Sequence, residues 1–142
     1  MSQINDVRAH TVKTILPFPL ASIACLGASF VVAKILLAVD GFGSGDTIGF
    51  LYWTSLFAVA LLLPALGFTL LLRHARMVHR VWFGVLLGGL AGFGWTLFNL
   101  WILGPWFGLW DFSVLYCWIV GGAAGILVVA LLGHSSVSPS LN

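Results

Sequence analysis

The sequence predicts an all-α membrane protein, a four-transmembrane-helix bundle with short loops and both termini cytoplasmic. Three observations predict it. Hydrophobic residues make up 61% of the 142-residue chain and charged residues only 7%, where a soluble domain carries about 25% charged residues. Mean hydropathy is +1.10. Of the six basic and four acidic side chains, all but Lys34 fall outside four long apolar runs. Runs of about 20 apolar residues between polar gaps are what a bilayer demands of helices that cross it.

The elements follow in order. Residues 1–16 are a polar segment with Arg8 and Lys13, in which Ile4, Val7, Thr11 and Ile15 recur at helical spacing and suggest a short interfacial helix. The first span is predicted over 17–39, because Pro17 and Pro19 suit a helix start, where a missing N–H is tolerated. The turn-rich stretch DGFGSGDT ends it, and Asp46 or Thr47 is a natural N-cap for the second span, 48–72. The basic segment RHARMVHR separates this from the third span, 81–103. The aromatic connector GPWFGLWD leads to the fourth span, 112–133, with Asp111 or Ser113 as its cap. Residues 134–142 read as a disordered cytoplasmic tail. Residues 17–133 thus make one transmembrane domain and leave no room for a soluble one. The first 33 residues also have the pattern of a signal peptide, but the apolar run is too long for one and continues past Lys34, so it is read as a retained span.

Orientation follows from the basic residues of short loops. Arg8 and Lys13 precede the first span, and Arg73, Arg76 and Arg80 separate the second from the third. The opposite connectors hold no Lys or Arg, only Asp40, Asp46 and Asp111. Both termini are therefore expected in the cytoplasm, in a multi-pass protein of a bacterial inner (plasma) membrane. Trp82 on one side, and Trp53, Trp101, Trp106 and Trp110 on the other, fit interfacial aromatic belts.

Candidate functional residues are few. Lys34 lies about 9 Å from the midplane by helix rise, within snorkelling reach of the outer interface. Helical side chains, however, lean toward the helix N-terminus, which for Lys34 is inward. That direction makes snorkelling awkward, yet snorkelling remains the first reading. An ion pair with Asp111 or Asp46, the acids at its level, is the second, and a transport or binding role the third. Asn99 is the one side-chain amide inside a span, and within lipid it should face protein. Lys34, Asn99 and Asp111 form the candidate polar cluster. Pro64 breaks the second span by removing a backbone donor; transporters place substrates at broken helices, but proline is common in membrane helices and a structural break is the first reading. Gly84, Gly88 and Gly92 give overlapping GxxxG patterns, and Gly121 and Gly125 another; small residues at this spacing let membrane helices pack closely. They are read first as packing of the third span on the fourth and second as a surface for an oligomer or a partner. Arg73, Arg76 and Arg80 read as a lipid-facing basic patch that attracts anionic headgroups.

Other classes are disfavoured by what the chain carries. The four histidines fall outside the spans, against a haem held between helices. His74 and His79, five apart and without nearby Cys or acid, are a poor metal pair. Cys25 and Cys117 are expected at different depths, out of disulfide reach. No catalytic constellation is visible and no cofactor is expected. The small net charge of +2 gives no reason to expect nucleic acid. The leading expectation is an accessory or assembly subunit packing in a larger membrane complex, with the lipid bilayer and other membrane subunits, or further copies of itself, as partners. The alternative is a homo-oligomeric small-molecule or ion transporter or channel using the Lys34, Asn99 and Asp111 cluster. An enzyme acting on lipid at the outer interface is a third.

Substituted-cysteine labelling checks the topology. A cysteine at residue 76 should react from the cytoplasmic side and one at residue 108 from the opposite side; the reverse pattern would overturn the orientation.

Overall fold

Residues 9, 11, 12, 14–40, 47–107 and 112–135 are described by the computed structural model. Ala9, Thr11, Val12, Thr14 and Ile15 are helical, and the Leu16 N–H donates to the Val12 carbonyl at 2.9 Å, leading into the first long helix. Five helices follow: α1, Pro17–Asp40; α2, Thr47–Ala60; α3, Leu62–Leu71; α4, Met77–Phe107; and α5, Phe112–Ser135. Among the described residues there are no strands. Helices α2 and α3 are two halves of one span, so four segments are long and apolar enough to cross a membrane.

Two boundaries differ from the sequence expectation. The third span was expected over 81–103, but α4 begins at Met77 and runs to Phe107. Arginine is a good helix former, so the helix takes in Arg80 rather than starting after it, whereas Arg73 and Arg76 lie in the turn before it. Pro105 forgoes one backbone bond near the other end without stopping α4. The fourth helix likewise continues through Ser135, past the expected start of the tail; residues 136–142 lie outside the described residues.

The second span is broken where Pro64 lacks the N–H that would bond the Ala60 carbonyl. The break is local. Leu61 keeps helical angles, its N–H donates to the Phe57 carbonyl at 2.8 Å, and its own carbonyl accepts from Ala65 at 3.0 Å.

Helix α5 is the centre of the bundle, packed closely on α1 and on α4. Both contacts are antiparallel. A methyl on Gly125 would lie 2.9 Å from the Ala21 carbonyl oxygen, and one on Gly121 2.9 Å from that of Cys25, so rising numbers on α1 meet falling numbers on α5. On the other flank Gly84 meets Ala130, Gly88 meets Gly122 and Ala123, and Gly92 meets Trp118. A methyl on Gly88 would sit 2.6 Å from the Gly122 carbonyl carbon, and one on Gly122 would strike the Gly88 carbonyl in return. These residues pack because they lack side chains; membrane helices gain no hydrophobic drive from meeting and rely on close contact. Gly121 and Gly125 therefore serve the first span rather than the third, a correction to the expected pairing. The residues of α5 that meet the third span most closely are Gly122, against Gly88, and Trp118, against Gly92.

The second span supplies bulk. Its buried residues, Thr54, Phe57, Ala58, Leu61, Ala65 and Phe68, recur at helical spacing on one face. Phe57 reaches Gly122, Leu61 reaches Gly125 and Phe68 reaches Gly84, so large side chains fill glycine notches on α4 and α5. The core they share also contains Ala21, Cys25, Trp118, Ile126, Val129 and Ala130.

Gly88→Val puts a branched side chain into the backbone of α5 and should cost about 1–3 kcal/mol. Gly94→Ala, at a glycine with nothing within 4 Å of an added Cβ, should not destabilise. Thermal melting of the intact chain in detergent measures both; equal melting of Gly88→Val and wild type would contradict the contact.

Candidate functional site

Hydrogen-bonding side chains gather in the half of the bundle that holds the α1–α2 and α4–α5 connections. Ser29 on α1 donates from Oγ to the Cys117 carbonyl on α5 at 3.0 Å. The Trp118 indole N–H donates to Thr54 Oγ1 on α2 at 2.9 Å. Closer to the middle of the bundle, Ser22 Oγ donates to the Ala58 carbonyl at 3.1 Å. These three bonds tie α1 to α5, α5 to α2, and α1 to α2. Two of them run beside glycines: Ser29 sits against Gly121, and Trp118 stands where Gly92 leaves room.

On α4, Thr96 Oγ1 donates to the Gly92 carbonyl at 2.9 Å, and Asn99 Nδ2 donates to the Trp95 carbonyl at 2.7 Å. Both are bonds to the helix's own preceding turn. Asn99 is only 3% exposed, and among the described residues its Oδ1 has no hydrogen-bond partner; nor has the buried indole N–H of Trp95. The Trp95 ring stacks between Phe57, at 5.7 Å, and Phe98, at 5.6 Å. A free acceptor and a free donor one turn apart suit a neutral group that both donates and accepts, such as a hydroxyl or an amide. They are hydrogen-bonding groups without an acid, base or nucleophile among them, and neither transfers a proton.

The three residues of the predicted cluster are not all brought together. Lys34 is exposed on the side of α1, with Nζ 5.3 Å from the centroid of the Phe30 ring one turn back. Its stem leans inward, as helical side-chain direction requires. Asn99 is buried on α4, which shares α5 with α1 as a neighbour, and its Oδ1 accepts nothing from Lys34. Asp111, like Asp46, lies outside the described residues. The buried side chains that flank the break at Pro64, Phe57, Leu61, Ala65 and Phe68, are all apolar.

The basic patch divides. Arg73 and Arg76 are exposed at the turn between α3 and α4. Arg80 departs from the lipid-facing expectation: it is 2% exposed and heads the buried face of α4, one turn before Gly84. Its guanidinium lies 5.9 Å from the Phe68 ring centroid and beside Gly133, where an added Cβ would meet Nη2 at 3.2 Å. Helix α5 ends at Ser135, so the cation rests at the last turn of α5, the negative end of that helix's dipole. Among the described residues its Nε has no partner. The signal in the sequence was the four-residue spacing of Arg80, Gly84, Gly88 and Gly92, which continues the buried stripe one turn into the charged segment.

Cys25 and Cys117 are both buried and free. Among the described residues no three His, Cys, Asp or Glu side chains converge as metal ligands would. Trp82 and Trp101 stand exposed, at 73% and 82%, whereas Trp53 packs against the core. Trp106 and Trp110 fall among side chains that are not described.

No protein-family model, curated protein or solved structure matches the chain. The class is accordingly set by the helices, four of them long and apolar enough to span a bilayer, as in a multi-pass membrane protein.

Thr54→Val would strand the buried Trp118 indole N–H and should lower stability by about 1–2 kcal/mol. Melting of the intact protein in detergent checks this, and an unchanged midpoint would show that the bond contributes nothing.

Proposed function

We propose that this is an accessory or assembly subunit of a larger complex in a bacterial inner membrane, with both termini cytoplasmic, acting through helix packing. One observation carries the reading. Gly27 on α1, Gly67 on α3 and Gly94 on α4 sit in spans with nothing within 4 Å of an added Cβ. A glycine weakens a helix, by about 1 kcal/mol in soluble hosts, and these three are not used in packing the chain on itself. Small residues on outward membrane faces suit the close approach of helices from other subunits.

The disposition of polar groups favours the same reading over transport. Ser22, Ser29, Thr54 and Trp118 bond between helices or to a neighbour's backbone. Lys34 and Asn99 stand apart, on α1 and α4. The buried side chains that flank the Pro64 break are apolar.

Purification of the tagged chain from its native membranes in mild detergent tests the proposal. The expected result is co-migration with a partner in fixed stoichiometry on native electrophoresis. A chain that migrates alone at every detergent concentration would overturn it.

A further inference from the structure

One lateral face of α1 has features that none of the other described residues covers. Ile23, Gly27, Phe30, Val31, Lys34 and Ala38 are all exposed and recur at intervals of three and four residues, the spacing of a single helix face. The opposite face, through Ala21, Cys25, Ser29 and Ala33, packs into the bundle. Gly27 leaves a notch with nothing within 4 Å of an added Cβ. Two turns further on, Lys34 sets an ammonium against the same face, about 9 Å by helix rise from the end of α1 at Asp40. Its described contact is the Phe30 ring at 5.3 Å, on the side away from the nearer end of the helix. A ring face supplies only a partial counter-charge, and a cation turned into lipid is costly unless something pairs with it.

We propose that this face of α1 docks a membrane-spanning helix of a different protein, one that carries an aspartate or glutamate at the depth of Lys34 and packs its backbone into the notch at Gly27. The inference rests on the accessory-subunit reading and names the chemistry of the partner. Charge selects a carboxylate, because a buried ammonium is best compensated by an opposite charge within direct reach. It also argues against a second copy of this chain. A two-fold contact through this face would set Lys34 opposite Lys34, like charge against like charge.

The test uses the intact chain in phosphatidylcholine bilayers and synthetic leucine- and alanine-rich helices of about 23 residues. Each carries Asp, Asn or Leu at the depth of Lys34, and association is read by energy transfer between fluorophores. The Asp helix should bind about tenfold more tightly than the Leu helix, a difference of about 1.4 kcal/mol. Lys34→Met should abolish that preference while leaving the melting temperature unchanged, and Gly27→Ile should weaken binding of the Asp helix by about fivefold. Equal binding of the Asp and Leu helices overturns the proposal, as does a preference that survives in Lys34→Met. Loss of the preference in phosphatidylglycerol bilayers overturns it in favour of a lipid phosphate on Lys34. Energy transfer between copies labelled at position 31, without peptide, overturns it in favour of self-association. The two readings fail separately. A chain that purifies alone yet prefers the Asp helix retracts the accessory role and keeps the chemistry of this face. A native complex that survives Lys34→Met does the reverse.

Discussion

Everything in this bundle depends on how closely α5 approaches its two neighbours. Gly88 on α4 and Gly122 on α5 face one another so tightly that a methyl group on either would strike the other's backbone. On the opposite flank Gly121 and Gly125 admit Ser29, Cys25 and Ala21 of α1 in the same way. In a bilayer the helices gain nothing by hiding apolar surface from water, so such contact is what distinguishes one arrangement from another. The side chains of Phe57, Leu61 and Phe68 then fill the notches these glycines leave. The second span is thus held by bulk and the other three by its absence.

Polar groups are placed by this spacing. The Ser29 hydroxyl reaches the Cys117 carbonyl only because α1 and α5 touch, and the Trp118 indole reaches Thr54 across the same core. Arg80 continues the glycine stripe of α4 into its first turn, which brings a cation to the end of α5 and under cover from lipid. With its interior occupied by glycine contacts and short hydrogen bonds, the chain presents its unused small residues, Gly27, Gly67 and Gly94, outward. That division of labour is the basis for reading it as a component that packs beside other membrane proteins.

The four apolar segments were legible because charge and hydropathy are local properties of the sequence. Helix ends were less so, since Arg80 is polar yet a good helix former and its polarity masked the helix that runs through it. Which glycine faces which helix was not legible at all. Gly121, Gly122 and Gly125 lie within five residues of sequence but point to different neighbours, and only the rotation of α5 decides between them. For the candidate cluster, spacing gave the depths of Lys34 and Asn99 but not their azimuth about the helix axes. One faces outward and the other inward. The inward lean of Lys34 over Phe30 could be read beforehand, because it follows from helix geometry alone.

The most direct measurement of the central claim is carbon–carbon correlation by solid-state NMR on the chain in lipid bilayers, with glycine and tryptophan labelled. Close backbone packing of α5 predicts cross-peaks between Gly88 and Gly122 and between Gly92 and Trp118. Helical chemical shifts in α4 and α5 without those cross-peaks would mean that the helices form but do not meet there, and would contradict the account.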